Sequence, residues 1–487
     1  MSEIDPVRVL VVEDRNDVID DLESGLGAGP LPVQLHVARS RDSARVQLAG
    51  EGFDFMVCDL KIPTTDGALD EAEEHGLFIQ QTAKTEFPGM PCFFLTAYGT
   101  VQNMSSPLAM GGTDDLYGDG FKLSLVEYFG KENLSTFLQR VHWHMEQLKG
   151  LLSISIETPE SLKLDRWDLR AVRIFARRSG GTKVMITLQG GGLSSARTLS
   201  LQVLDDEARI VARAFAKIDH WREIKEERDR YERFVPRLLP VGSCPPIAGT
   251  VDAVIGSKAA LFYTLASDHL QDFFSIAATD AVRASDVVVR VREVLKPWND
   301  LAETKTLNVR ELRRSRVRDE LLVQHTDLLD IPVLDDLESR SKVMRLHRQH
   351  GDFHGRNVLV SDDGHPLLID IRDAGTYPAG WDPIILEMSM LFLRDSPFAG
   401  CGWPTVAGAR NWALLDAYGA DCPFAELVRV VRGWALDEVL SPADAYVLAY
   451  VDALRQLKYP DTDKELAATI AMAAARAALA EWTAAPG

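Results

Sequence analysis

Four short apolar segments, each rich in β-branched or aromatic residues and each running into polar residues, constrain the fold of the first part of the chain. They fit buried strands, and the segments between them fit helices. Alternation of strands and helices is typical of a doubly wound α/β fold, in which helices cover both faces of a parallel sheet. The predicted strands are 7–12, 53–58, 91–95 and 123–129.

The composition is that of a folded protein and excludes several classes. Lys and Arg number 53 against 72 Asp and Glu, so the net charge of −19 disfavours a general nucleic-acid binder. Apolar residues make up 46% of the chain and charged residues 26%, which argues against disorder. Five widely spaced cysteines predict neither a disulfide framework nor a zinc site. We find no membrane helix or export signal and expect a cytoplasmic protein.

Residues that can handle a phosphoryl group stand at the ends of the predicted strands. Glu13 and Asp14 follow the first strand and Asp59 follows the second, at the sheet edge where ligands bind. Three clustered carboxylates favour Mg²⁺, and a carboxylate can itself accept a phosphoryl group. Thr96 can hydrogen-bond a phosphoryl oxygen, and Lys131 can supply a positive charge. Each residue alone is also an ordinary loop residue; the ordered set of five is the signal.

This set resembles the receiver domain of bacterial response regulators, through the stretches VLVVEDRNDV, VCDLKIP, FLTAYG and FGKEN. The resemblance implies a flavodoxin-like sheet over residues 1–150 and an upstream sensor histidine kinase. The roles it implies are phospho-acceptor for Asp59, Mg²⁺ ligand for Glu13, Asp14 and Asp59, and switch for Thr96 and Lys131. Glu132 stands where receivers usually carry proline.

A glycine-rich turn lies between two predicted strands in the next part of the chain. Residues 172–175 and 184–188 are strand-like, the stretch QGGGLSSAR follows, and another strand is predicted at 198–204. Glycines let backbone N–H groups approach phosphates closely, although three glycines in a hairpin also form an ordinary turn. The candidate phosphate-binding residues are Gly190, Gly191, Gly192, Ser194 and Ser195.

A lysine and a glutamate on the next two elements form a second candidate pair. Lys217 lies on the predicted strand 210–218, and the helical stretch REIKEERDRYERFV follows. In kinase-like folds a lysine and a helix glutamate position the nucleotide phosphates. We choose Glu227 as the partner; Glu223 and Glu226 are alternatives, and these charges are also compatible with a solvated helix face.

The most specific stretch is HGDFHGRNVLVSDDGHPLLIDIRDAG, at 350–375. A predicted hairpin within it brings Asp370 back beside Asn357, five positions after Asp352. Phosphoryl transfer requires positioning and charge neutralisation. Asp352 is suited to take the proton of the attacking hydroxyl, and Asn357 and Asp370 offer oxygen ligands to Mg²⁺ on the nucleotide phosphates. His350 is predicted to hold the loop.

This stretch resembles the aminoglycoside phosphotransferase and choline kinase group, whose signature is HGDxHxxN followed by a strand and IDxxxxG. The group has an α+β, two-lobed protein-kinase-like fold. The resemblance implies ATP and Mg²⁺ as cofactors, Asp352 as catalytic base, Asn357 and Asp370 as metal ligands, and a structural Asp382. We expect the N-lobe at 151–270 and a mostly helical C-lobe at 271–487.

Together these features predict a bacterial two-component output protein. Its receiver would control an ATP-dependent phosphotransferase that acts on a hydroxyl of an unknown small molecule or protein. The alternative is a nucleotide-binding pseudokinase scaffold, with a receiver used for partner binding or homodimerisation. The arginine-rich run 310–318 is interpreted as a solvated helix face or as a contact to a phosphate or an acidic partner.

Overall fold

The computed structural model describes residues 5–50, 52–97, 112–188, 197–264, 270–394, 396 and 398–484. The chain forms two compact units. The first comprises Met1–Lys225 and Pro246–Ala266, and the second comprises Glu226–Pro245 and Ser267–Gly487. The predicted division near residue 150 lies inside the first unit, so the three predicted domains stay a prediction. None of the helices in the described ranges is long and apolar enough to cross a membrane.

The first sheet of the first unit is parallel and five-stranded, in agreement with the predicted fold class. Its elements are β1 (Val7–Val12), α1 (Asn16–Gly27), β2 (Val33–Ala38), α2 (Arg41–Leu48), β3 (Phe55–Cys58), α3 (Glu73–Glu86), β4 (Cys92–Thr96), the hairpin strands β5 (Thr113–Asp114) and β6 (Leu123–Ser124), β7 (Val126–Gly130) and α4 (Leu134–Leu152). The strand order is β2-β1-β3-β4-β7, with every pair parallel.

Alternate residues of the central strands enter two apolar cores, because successive side chains of a strand point to opposite faces. Val9 and Val11 lie in the core that contains residues of α1 and α4. Leu10 and Val12 lie in the core that contains residues of α2 and α3. Burial on both faces explains why these strands are continuous apolar runs in the sequence.

The structure corrects one strand prediction in this sheet and adds one strand that was not predicted. The predicted strand 123–129 is divided at Leu125: β6 pairs with β5 in a separate hairpin, and only β7 joins the sheet. The edge strand β2 was not predicted, because its sequence VQLHVA includes polar residues and most of its side chains are only partly buried.

The second sheet of the first unit has six strands in the order β12-β13-β11-β10-β9-β8. Its elements are β8 (Ser155–Glu157), α5 (Arg166–Arg178), β9 (Lys183–Leu188), β10 (Arg197–Leu204), β11 (Ile210–His220), α6 (Trp221–Phe234), β12 (Ile247–Val251) and β13 (Lys258–Thr264). Helix α6 continues past Lys225 into the second unit.

The predicted strand 172–175 is wrong, because these residues lie in α5. Asp165 caps this helix, and its side chain accepts hydrogen bonds from the backbone N–H groups of Trp167 and Asp168. Phe175 stacks on Phe262 of the second sheet with ring centroids 4.1 Å apart. A four-residue apolar run does not by itself distinguish a buried strand from the buried face of a helix.

The two sheets of the first unit share one apolar core and a buried ion-pair cluster. The core on the α4 face of the first sheet continues through α5 into the second sheet. Asp54, just before β3, is fully buried. Arg166 Nη2 lies 2.9 Å from its Oδ2, Arg170 Nη1 lies 2.5 Å from its Oδ1, and the backbone N–H of Arg8 donates to Oδ2 at 2.7 Å. These contacts fix α5 against the amino end of β3.

The hairpin β5–β6 makes the stability of the first unit pH-dependent. Burial, followed by the charge of Asp252, raises the pKa of Asp114 from 3.8 to about 6. Between these two values the folded state holds a proton that the unfolded state releases, so stability falls as pH rises through about 6. We expect Asp114→Asn to flatten this slope, as measured by hydrogen exchange of the hairpin across that interval. Asp119→Asn, in the same hairpin and exposed, is the control; an unchanged slope in Asp114→Asn would contradict the assignment.

The second unit is mostly helical. Its strands are β14 (Gln271–Asp272), β15 (Glu303–Asn308), β16 (Ser341–Gln349), β17 (Val358–Val360), β18 (Pro366–Leu368) and β19 (Gly375–Pro378). Its helices, after the second half of α6, are α7 (Phe273–Thr279), α8 (Ala281–Asn299), α9 (Val309–Arg314), α10 (Asp319–Gln324), α11 (Ile331–Glu338), α12 (Trp381–Phe392), α13 (Val406–Ala409), α14 (Leu415–Tyr418), α15 (Ala425–Glu438), α16 (Pro442–Gln456) and α17 (Lys464–Ala484). The strands form two three-stranded sheets, β14-β17-β18 and β15-β16-β19.

The arginine-rich run is not a uniformly solvated face. Arg313 is only 2% exposed, and its Nε donates to Glu338 Oε1 at 2.8 Å. Arg316 donates from Nη2 to the carbonyl of Gly351 at 3.3 Å. Arg313 and Arg316 therefore make contacts within the second unit and are not simply solvated. Arg316 contacts the segment that carries the HGDFHGRN motif.

Candidate functional site

The carboxyl edge of the first sheet brings together three of the residues predicted there. Lys131 Nζ lies 2.6 Å from Glu13 Oε2 and 2.6 Å from Asp59 Oδ2. Thr96, at the end of β4 and almost fully buried, pairs with the residue just before Lys131. Asp14 follows Glu13 and is partly exposed. Parallel pairing of β1, β3, β4 and β7 produces this assembly, because it places all four strand ends at one edge.

The electrostatics of this edge favour a cation. Burial raises the pKa of Glu13 to about 7, although its contact with Lys131 opposes the shift. Burial lowers the pKa of Lys131, but its contacts to Asp59 and Glu13 outweigh that effect and raise the pKa overall. Ionised Glu13 therefore depends on a positive charge, which the Lys131 ammonium supplies in this arrangement.

The donor chemistry of this edge fits Mg²⁺, since carboxylate oxygens are its preferred protein ligands. Glu13, Asp14 and Asp59 would hold the ion. Within the described ranges, no three His, Cys, Asp or Glu side chains converge closely enough to bind a metal. The ammonium of Lys131 contacts two of these proposed ligands, Glu13 and Asp59.

In the second unit, the motif 350–375 forms a loop after β16 that two buried groups hold in place. Asp382, at the start of α12, accepts hydrogen bonds from the backbone N–H of His350 at 2.7 Å and of Gly351 at 2.9 Å. Gly351 has a φ of +81°, and a Cβ there would lie 2.3 Å from the carbonyl oxygen of Asp373. His350 Nε2 lies 2.9 Å from the carbonyl oxygen of Ile369. His350 and Asp382 thus occupy structural positions.

The predicted catalytic base, Asp352, and the two predicted metal ligands, Asn357 and Asp370, lie within this loop. Asn357 Nδ2 donates to the carbonyl of Asp352 at 2.9 Å, which leaves the amide oxygen as its ligand atom. The backbone N–H of Ile369 donates to the carbonyl of Asn357 at 3.0 Å, so Asp370 follows directly beside it. Asp370 has a φ of +60°, a left-handed conformation that costs energy in a non-glycine residue and recurs at functional sites. The Asp352 side chain is 27% exposed and accessible to an acceptor.

The remaining predicted nucleotide-binding residues lie on other elements or outside the described residues. Lys217 lies on β11, is 4% exposed, and pairs in register with Thr198 and Leu261. Glu227 lies on α6 and is 1% exposed. The antiparallel strands β9 and β10 precede and follow the glycine-rich segment along the chain. Gly190, Gly191, Gly192, Ser194 and Ser195 lie outside the described residues.

Two residues beside Asp352 were not predicted. Arg455 Nη2 lies 3.5 Å from Asp352 Oδ1, and His354 Nε2 lies 3.6 Å from Asp352 Oδ2. Burial lowers the pKa of His354. His354 belongs to the HGDFHGRN motif and could have been chosen from its position. Arg455 is 103 residues away along the chain, on α16, and no local sequence pattern indicates its contact.

Comparison with known proteins found separate matches to a phosphotransferase family and to a response regulator. Residues 190–400 match a family model described as the phosphotransferase enzyme family. The response regulator protein PilR of Pseudomonas aeruginosa is 31% identical over 109 residues, which is 22% of this chain and 22% of PilR. The chain thus spans about a fifth of the length of this curated relative.

Two kinds of solved structure are similar to parts of this chain. A CheY-like receiver domain protein from Methanospirillum hungatei is 20% identical, and the match covers 30% of this chain and 99% of that one, with a TM-score of 0.23. The aminoglycoside phosphotransferase APH(4)-Ia is 12% identical, and the match covers 60% of this chain and 93% of that one, with a TM-score of 0.33. The predicted resemblance is confirmed by the family-model match over residues 190–400 and by the similarity to PilR, and the first sheet confirms the predicted parallel-sheet fold of the first part of the chain. The two-lobed protein-kinase-like fold of the second part stays a prediction.

Proposed function

We propose that this protein is a cytoplasmic response regulator whose receiver controls ATP-dependent phosphoryl transfer to a hydroxyl acceptor. The observation that carries the proposal is the loop in which Asp382 holds the backbone at His350 and Gly351, while Asn357 holds the carbonyl of Asp352. A phosphotransferase requires such positioning of a base and oxygen ligands. The match of residues 190–400 to the phosphotransferase enzyme family supports the same reaction class.

In the proposed reaction the Asp352 carboxylate orients the acceptor hydroxyl and takes its proton as the hydroxyl oxygen attacks the γ-phosphorus of ATP. The bond between the γ-phosphorus and the β–γ bridging oxygen breaks, and ADP leaves with that electron pair. Asn357 and Asp370 would hold Mg²⁺, which neutralises charge on the nucleotide phosphates. Lys217, Glu227 and the glycine-rich turn are the proposed nucleotide-binding residues. Formation of ADP by the full-length protein, with a panel of hydroxyl acceptors, is the direct measurement.

A second measurement distinguishes the phosphotransferase from the alternative function, a nucleotide-binding scaffold. Titration calorimetry with ATP and Mg²⁺ reports binding whether or not transfer follows. Tight binding without ADP formation, across a broad acceptor panel, would replace the enzyme with a nucleotide-sensing scaffold. Absence of both binding and turnover would contradict both functions.

The receiver part of the proposal predicts phosphorylation at Asp59 by a sensor histidine kinase. A carboxylate oxygen of Asp59 attacks the donor's phosphorus, and the bond between that phosphorus and the leaving atom breaks. The leaving atom keeps the electron pair; it is an imidazole nitrogen in a phosphohistidine donor and a carboxylate oxygen in acetyl phosphate. Acetyl phosphate, which releases acetate, is a suitable small donor. We expect intact-mass spectrometry to show one added phosphoryl group in the wild type and in Asp21→Asn, an exposed position on α1, and none in Asp59→Asn. An unmodified wild-type protein would favour a receiver used for partner binding or homodimerisation.

A further inference from the structure

The side of the catalytic loop that carries Asp352 has an arginine in contact with the proposed base. Arg455, in the last turn of α16, has a side chain that is 17% exposed. Its Nη2 lies 3.5 Å from Asp352 Oδ1, and its Nη1 lies 3.6 Å from Asp452 Oδ1. Both distances exceed the 2.7–3.2 Å typical of N–H···O hydrogen bonds. A guanidinium has five N–H donors, and these two long contacts leave it able to bind a further oxyanion.

A second arginine adds positive charge on the same side. Arg316 donates to the carbonyl of Gly351, the residue before Asp352, and its guanidinium lies 5.0 Å from the ring centres of both Tyr377 and Trp381. Stacking on two rings holds this cation in place without neutralising it. Asp452, the carboxylate close to both arginines, is only 2% exposed. Arg455 and Arg316 are therefore partly exposed cations on this side of the base, whereas Asp452 is buried.

We infer that the acceptor carries an anionic group, a carboxylate or a phosphate, next to its reacting hydroxyl, and that Arg455 binds this group. The inference rests on the proposed phosphotransferase function and adds the substrate class. A guanidinium matches the geometry of carboxylates and phosphates and binds them through paired, charge-assisted hydrogen bonds. An acceptor with an amino group at that position would bring two like charges together in a partly desolvated site. Arg455 is thus a specificity-determining residue, and it selects against polycationic acceptors.

The test compares four pyranoses that differ mainly in charge: glucuronate, glucose 6-phosphate, glucose and glucosamine. Each is titrated calorimetrically into the full-length protein saturated with Mg²⁺ and a non-hydrolysable ATP analogue. We expect an anionic sugar to bind at least about tenfold more tightly than glucose and glucosamine, a ratio typical of one charge-assisted contact. The carboxylate and phosphate arms show which oxyanion the site prefers.

Substitutions at Arg455 test whether this residue causes the preference for anionic sugars. We expect Arg455→Gln to abolish the advantage of the anionic sugars, and Arg455→Lys to retain part of it because the charge stays. Arg429→Gln, on the exposed face of α15, is the matched control and should leave the ratio unchanged. Thermal unfolding of each variant verifies that it is folded. If Arg455→Gln is unstable, the ratio of anionic to neutral sugar binding is measured in Arg455→Lys instead.

Three outcomes overturn the inference: glucosamine binding as tightly as glucuronate, no measurable binding of any of the four sugars, or an anion preference that survives in Arg455→Gln. Failure of the proposed function has a different signature. In that case the ATP analogue itself does not bind, or ADP formation does not depend on Asp352.

Discussion

Replacing Asp352 by asparagine is expected to slow phosphoryl transfer by about 100- to 10,000-fold, the usual contribution of a general base. The amide is similar in size to the carboxylate but cannot take the proton of the acceptor hydroxyl. The backbone carbonyl of residue 352, which Asn357 holds, is unchanged by the substitution. We therefore expect nucleotide affinity, measured by titration calorimetry, to stay close to that of the wild type while ADP formation is lost.

Asp362→Asn is the matched control for this experiment. Asp362 belongs to the same motif but lies exposed in the turn between β17 and β18. The control should form ADP at the wild-type rate. Unchanged turnover in Asp352→Asn would show that Asp352 is not the base, and loss of both turnover and nucleotide binding would indicate a folding defect of the loop.

Replacing Asp54 by alanine is expected to destabilise the first unit by about 3–5 kcal/mol, the usual cost of removing one partner from a buried ion pair. The change leaves Arg166 and Arg170 without their shared carboxylate, and it removes the acceptor for the backbone N–H of Arg8. Because the protein has two units, a single unfolding transition is not a safe measure. Hydrogen exchange of α5 and β3, followed by mass spectrometry, reports the local free energy of opening instead.

Asp17→Ala is the control for the Asp54 experiment. Asp17 also pairs with an arginine, Arg15, but both side chains are more than half exposed. Exposed pairs contribute little, so exchange in α5 should not change. Asp54→Asn, which keeps a hydrogen-bond acceptor, should lie between the wild type and Asp54→Ala. Equal exchange in all four proteins would contradict the structural role of the cluster.

The position of Asp54 bears on how the receiver is used. Asp54 precedes β3, and Asp59, the proposed phospho-acceptor, follows it, so one four-residue strand joins the ion-pair cluster to the proposed phosphorylation site. The core of the first sheet also continues through α5 into the second sheet. The receiver fold and the sheet that carries Lys217 therefore share one packed core.

The sequence by itself determined the elements whose signals are local. The apolar runs of β1, β3 and β4 and the helix α6 were predicted correctly because burial on both faces, or helical spacing, is visible within one short segment. The hairpin β17–β18, which returns Asp370 to Asn357, followed from its turn residues. The shared location of the acids, the threonine and the lysine at one edge of the first sheet was predicted from their positions after the strands, because the strands were expected to be parallel.

Only the tertiary structure decided features that depend on contacts between distant segments. Residues 172–175 are helical because Asp165 caps α5 and the second sheet buries its apolar face, neither of which a four-residue run encodes. Arg313 is buried against Glu338, and Arg455 contacts Asp352 because α16 packs beside the loop that carries Asp352. Such pairings arise from the packing of whole elements. Charge, periodicity and spacing along the chain therefore predicted which residues can act, while packing determined which of them meet.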